Sequence, residues 1–312
     1  MNTRKILTFA AGAVAASLAA SAQAQTTTSI QFTRGAYGQG TPLTSGQVAG
    51  VGVNAVDNWN TARPSGHGLL SGDISDGHQE TDTNLSGADV ATLVDSTGAT
   101  SPINYSIVSY GNVNTGSGLS GNDQLLLQSG AATAGTGDAK GPLPVVLTIG
   151  GLTIGDSYNF LCYLNSANPA VEGSISLSGG PTYYYLGPNA GAYLSSDPIS
   201  AYQQATATTD FVAAAGGVGH PSLWAAYQAN YALFSGYTAT STTATITMTE
   251  LGSFGGLGVF AAAGTAGGNE DIGMSGVQIV DLGAIPEPST WAMMLGGLGM
   301  LLTGQRIRRR KS

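Results

Sequence analysis

The 312-residue chain has one cysteine, Cys162, so no disulfide can form within it. Whatever holds the fold must come from burial and hydrogen bonding. Basic residues are nearly absent from the middle: between Gln25 and Ala284 only Arg34, Arg63 and Lys140 stand against seventeen acidic side chains. A surface of that sign repels phosphate, which excludes nucleic acid as a partner and disfavours anionic membranes. Histidine is scarce too. His67, His78 and His220 have no zinc-ligand spacing, although His67 and His78 with Asp76 or Glu80 leave a metal site open. There is no Walker A match, no Gly-x-Ser-x-Gly elbow, and no apolar run as long as the roughly 20 residues of a full membrane crossing. No fixed-period repeat is present, which argues against a propeller or β-helix.

What the chain does have is glycine, serine, threonine and asparagine, interleaved with strand-like apolar runs. Ile103–Tyr110 alternates, with Ile103, Tyr105 and Ile107 on one face. Val145–Ile149, Tyr158–Leu164, Ser174–Leu177 and Thr182–Leu186 continue the pattern, followed by Tyr231–Phe234, Ala244–Thr249, Leu257–Ala261 and Val277–Leu282. Gly155-Asp156 lies between two such runs as a turn. Pro221–Ala229 could form a short helix, with Trp224 and Tyr227 at helical spacing. The sequence predicts one all-β domain over residues 25–284, a two-sheet sandwich, with Cys162 as a small buried strand residue.

Both ends read as targeting segments. Arg4 and Lys5 precede an Ala-rich apolar stretch, Ile6–Ala20, and Ala22-Gln23-Ala24 supplies the small-x-small site that signal peptidase needs. Residues 1–24 are therefore expected to be a signal peptide. Residues 285–312 run Pro286-Glu287-Pro288-Ser289-Thr290-Trp291, then apolar Ala292–Leu302, then Arg306, Arg308, Arg309, Arg310 and Lys311. An extended Pro-Glu-Pro segment presents a peptide, the apolar run parks it at a membrane, and the basic cluster stays cytoplasmic. By itself the apolar run could also be a permanent single-pass anchor. The three-part tail resembles the PEP-CTERM sorting signal. That resemblance implies removal by a membrane exosortase, a transient inner-membrane anchor in the form of a transmembrane helix, and passage to the cell surface or extracellular matrix.

The body resembles a recurring ectodomain of such proteins. The matching pieces are Ala49-Gly50-Val51, Asn58-Trp59-Asn60, Leu93-Val94-Asp95-Ser96-Thr97-Gly98, Leu152–Tyr158, Asn230–Gly236 and Gly276–Val280. The resemblance implies a jelly-roll sandwich similar to galactose-binding or carbohydrate-binding modules.

Candidate chemistry is sparse. Asp73, Asp76, Glu80 and Asp82 could supply hard oxygen ligands to a structural calcium, or form an ordinary acidic loop; Gly268-Asn269-Glu270-Asp271 is a second, weaker set. Gly116-Ser117-Gly118-Leu119-Ser120-Gly121 formally matches Gly-x-Gly-x-x-Gly but lacks a βαβ setting, so it reads as a loop. Aromatic rings can stack on sugar faces. Tyr183-Tyr184-Tyr185 in a strand must turn at least one ring outward, and Trp59, Trp224, Tyr227 and Tyr237 lie in or near predicted loops. Tyr184, Trp224 and Tyr227 are the first choices. The sequence predicts no enzyme, since no nucleophile or carboxylate pair can be nominated. The expected function is an exported surface or matrix protein associated with exopolysaccharide as a binding or structural component. The alternatives are an adhesive or structural protein that binds no glycan, and a secreted hydrolase.

Overall fold

A computed structural model describes residues 25–32, 41–62, 80–83, 92–109, 111–114, 119–133, 143–166, 171–187, 201–210, 227–254, 260–262, 272–284 and 296–300. Two seven-stranded sheets face each other. One has the order β11 (Tyr231–Thr238), β8 (Asp156–Ser166), β14 (Ile272–Ala284), β1 (Thr26–Phe32), β2 (Trp59–Ala62). In it β6 (Ser129–Ala132) pairs with the first residues of β14, and β5 (Gly111–Asn114) pairs with β6. The other runs β10 (Thr182–Leu186), β9 (Val171–Leu177), β12 (Thr243–Phe254), β7 (Val145–Gly150), β4 (Asn104–Ser109), β3 (Glu80–Thr83), with β13 (Phe260–Ala262) on β12.

The predicted alternation holds. Ile103, Tyr105 and Ile107 are buried, as are Ala244, Ile246 and Met248 of β12, and all pack into the core between the sheets. Strand β8 is different. Its run Tyr158–Leu164 is apolar almost without a break because both faces are covered. Tyr158, Phe160, Cys162 and Leu164 face the inter-sheet core. Leu161 and Tyr163 face a second cluster on the outer side, with Leu43, Ala49, Trp59, Val280 and two leucines of helix α1 (Gly121–Leu127).

That outer cover follows from topology. Strands β1 and β2 pair in parallel, so the chain between them must cross over rather than turn back. Residues 41–56 belong to that crossover and lie against the outer face. Polar contacts fasten them. Trp59 Nε1 donates to the carbonyls of Ala49 (3.3 Å) and Val56 (3.1 Å). The Gly50 N–H donates to Asp123 Oδ1 (3.0 Å), which also accepts from Tyr202 Oη (2.7 Å). Tyr163 Oη donates to Gln278 Oε1 and accepts from the Val51 N–H (3.1 Å).

Candidate functional site

At one edge of the sandwich, strands β10 and β11 end their respective sheets and face each other. Between them lies a cleft of about 440 Å³, within the usual range of small-ligand pockets (about 300–1,000 Å³). One wall is the β9–β10 turn, Ser178-Gly179-Gly180-Pro181; the other is the second half of β11 with Thr240. Tyr183 packs on Phe234 with ring centroids 5.3 Å apart, and Tyr237 packs edge-on against Phe160 at 5.5 Å. Phe234 and Phe160 are core residues, so both tyrosines are braced from behind while remaining half exposed.

A single extra residue puts Tyr237 there. Phe234 lies opposite Phe160, and the next register pair is Tyr237 opposite Tyr158. Three steps along β11 therefore match two along β8, a β-bulge at Ser235-Gly236. With regular alternation, position 236 would face Tyr158 and Tyr237 would turn to the outer face. Gly236 accepts the left-handed backbone (φ +68°) that the bulge needs, and its N–H donates to Asn159 Oδ1 (2.8 Å). The rims carry exposed hydroxyls, Ser178, Ser235, Thr238 and Thr240. Among the described residues none that lines the cleft is charged.

Of the rings chosen from sequence, Tyr184 is half-buried on the outer face, because Tyr183 and Tyr185 on either side turn to the core. Tyr227 is half-buried, Trp224 lies outside the described residues, and Trp59 is in the outer cluster. The structure thus brings together Tyr183 and Tyr237 instead. Alternation within the Tyr183–Tyr185 triplet could have singled out Tyr183. Nothing in the sequence announces the bulge.

The acidic stretch is not all loop: Glu80 and Asp82 belong to β3, paired with Ser109 and Ile107, whereas Asp73 and Asp76 lie outside the described residues. His67 and His78, and the second acidic set Gly268–Asp271, lie outside them as well. Gly121 opens helix α1, so the formal Gly-x-Gly-x-x-Gly ends at a two-turn helix that covers the sheet. Two buried carboxylates went unnoticed in the sequence, Glu172 and Glu250. Glu250 lies opposite Gly173 and accepts from Thr133 Oγ1 (3.2 Å). Glu172 is the neighbour of Gly173, so the two carboxylates point to opposite faces of the sheet and do not flank a common substrate. Burial pushes the Cys162 thiol pKa far up, as expected of a packed rather than reactive cysteine.

The remaining functional feature is where the sheet ends. Strand β14 stays paired with β8 to its final residue, Ala284 opposite Asp156. A family model described as the PEP-CTERM protein-sorting motif matches residues 284–311. The chain carries a PEP-CTERM sorting motif. This motif begins at the last described residue of β14, and it implies exosortase processing, a membrane-associated sorting step and export to the cell surface. Within the PEP-CTERM segment residues 296–300 are helical and exposed, while Pro286, Glu287 and Pro288 lie outside the described residues, as do Ala22 and Ala24. Among the described residues no helix is long and apolar enough to cross a membrane. No curated protein and no solved structure matches the chain.

Proposed function

We propose that this protein is made with a signal peptide cut after Ala24 and held briefly in the inner membrane by its C-terminal apolar helix. An exosortase then cuts it near Pro286-Glu287-Pro288. It passes to the cell surface or extracellular matrix, where the sandwich associates with exopolysaccharide as a non-enzymatic binding or structural component. The observation that carries this reading is the junction of β14 with the PEP-CTERM segment: a paired strand runs to Ala284, and the sorting motif starts there with no linker domain between them. The sandwich itself is inferred to be of the jelly-roll kind. Support comes from the way the chain alternates between sheets, from β6 to β7 to β8 to β9 and again from β10 to β11 to β12 to β14. A Pro286→Ala/Glu287→Ala double substitution is expected to leave the tail attached and the protein in the membrane fraction. Normal processing and release of that variant would sink the sorting step.

A row of small hydroxyl side chains supports the second reading, an adhesive or structural surface protein. Ser174 and Ser176 of β9 lie opposite Thr249 and Thr247 of β12, half-buried on the outer side of their sheet. Such a face could pack against another copy. Co-sedimentation of the exported protein with the producing cell's exopolysaccharide, with calcium and with chelator, separates the two. Saturable pelleting supports the glycan reading, and self-association without pelleting supports the other.

A further inference from the structure

We propose that the cleft between the β9–β10 turn and the bulged half of β11 is a binding site for a neutral saccharide unit. The proposal rests on the exopolysaccharide reading above and names the site and ligand class it would use. Three observations point to the same chemistry. First, the cleft exposes parts of Tyr183 and Tyr237 whose rings are held by Phe234 and Phe160 at 5.3 and 5.5 Å. Rings already fixed in place lose little freedom on binding and offer an apolar surface to the C–H face of a sugar.

Second, the rim is made of hydroxyls on exposed positions, Ser178, Ser235, Thr238 and Thr240, which both donate and accept. A polyhydroxylated ligand needs that two-way capacity. Third, among the described residues none that lines the cleft is charged. A uronate, sulfate or phosphate group would be partly desolvated there with no cation to meet it, a substantial cost. Neutral sugars meet no such penalty. The protein's overall acidity points the same way, since its field repels anionic ligands.

The bulge makes this site. Without the extra residue at Ser235-Gly236, Tyr237 would sit on the outer face and the cleft would lose one of its two rings. Asn159, through its Oδ1 on the Gly236 N–H, is then a positioning residue.

The test uses the exported protein purified from its producing cell. Neutral oligosaccharides released from that cell's exopolysaccharide by partial hydrolysis are titrated in by calorimetry, beside uronate-bearing oligosaccharides from the same digest. Thr240→Arg projects a long side chain into the cleft from an exposed position and is expected to weaken neutral binding at least tenfold. Tyr184→Ala removes a ring from the outer face of β10 and should leave binding unchanged. Tyr237→Ala could unsettle the core through Phe160, which is why the exposed Thr240 carries the test. Undiminished binding by Thr240→Arg overturns the cleft as the site while exopolysaccharide association stands. Preference for the uronate-bearing fraction overturns the neutral ligand class. Failure of the parent protein to bind either fraction or to co-sediment with the intact polysaccharide overturns the exopolysaccharide reading itself, and the cleft proposal with it.

Discussion

Replacing Gln278 by leucine tests whether the outer cover is fastened by hydrogen bonds or merely lies on the sheet. Gln278 is fully buried in β14. Its Nε2 donates to Ser29 Oγ (3.0 Å) and to the Asn54 carbonyl (2.8 Å), and its Oε1 accepts from Tyr163 Oη. Leucine of similar volume keeps the packing and removes all three bonds. Ser29 can turn its hydroxyl elsewhere, but the Asn54 carbonyl and the Tyr163 hydroxyl lose the partners named here. The Tyr163 hydroxyl is buried, and a buried polar group left without its partner costs about 1–3 kcal/mol; the Asn54 carbonyl belongs to a half-buried residue and adds little, so the loss is about 1–3 kcal/mol. For a domain of this size that lowers Tm by at least about 2 °C. Urea unfolding followed by tyrosine fluorescence measures the change. The Tyr163→Phe/Gln278→Leu double variant supplies the control: it removes donor and acceptor together, so its cost should fall short of the sum of the singles by about 0.5–3 kcal/mol. A single variant within about 0.5 kcal/mol of the parent, the ordinary range for surface changes, would refute the fastening. Strict additivity would refute the direct bond.

The remaining predictions come from the same interior. Gly50→Ala should destabilise at least as much as Tyr163→Phe, because a Cβ there would lie 2.9 Å from Tyr163 Oη on a backbone at φ +117°; urea unfolding would show it. Burial pushes the Tyr163, Tyr185 and Tyr202 hydroxyls well above their usual range, with a hydrogen bond to Asp123 adding to the effect at Tyr202. Their folded pKa values thus exceed the unfolded value, so the stability they contribute is intact below about pH 10 and is lost as pH rises beyond it. In an alkaline titration the share of phenolate absorbance that belongs to these three rings should appear together with unfolding rather than before it. Cys162, buried in β8, should react with a thiol reagent only as fast as the protein opens, which mass spectrometry of labelled samples would follow across a urea series.

Periodicity made much of the sandwich legible, since strands buried on one face advertise it by alternation, as Ile103-Tyr105-Ile107 and Ala244-Ile246-Met248 did. Strand β10 was read to the residue, and β8, β9, β11, β12 and β14 were read short at their ends. Strand β1 was missed because Thr26-Thr27-Thr28-Ser29 looks polar, although Thr27, Thr28 and Ser29 are buried in the strand paired with β14. Helix α1 was missed because Gly121-Asn122-Asp123 begins it, and these are turn formers unless packing overrides them. Of the predicted helix at Pro221–Ala229 only the last residues, from Tyr227, are described.

The quoted resemblance pieces prove to be fasteners. Asn60 bonds the Ser29 and Val94 carbonyls and the Val94 N–H, and Asn58 reaches the Ser96 carbonyl. Asp95 Oδ1 takes the Thr97 hydroxyl and N–H and the Ala99 N–H, and Asn230 ties Gln203 to Ala201. Such motifs report how the fold is held and say little about ligands. The cleft left no comparable mark, because it depends on a register shift that only the partner strand reveals.

The position of β14 ties fold and sorting together. It contributes the last residues before the tail, yet it sits in the middle of its sheet, paired along one edge with β8 and along the other with β1 and β6. The sheet cannot close until residues 272–284 are available, so the sandwich must wait for nearly the whole chain to cross the membrane. A long β8–β14 pairing also joins residues more than a hundred positions apart, which is slow to form. On the sorting reading proposed above, a tail held at the membrane would give that pairing time before release. Its removal near Pro286-Glu287-Pro288 would leave the described pairs of β14 in place, since these run to Ala284. Just before that end the strand carries a second irregularity, a register shift between Asp281 and Gly283, with the Gly283 N–H bonded to Asp281 Oδ1 (2.7 Å). Such a bulge bends the strand, and beyond it Gly283 and Ala284 still pair with Ser157 and Asp156, so the sheet keeps its pairing up to the first residue of the sorting motif.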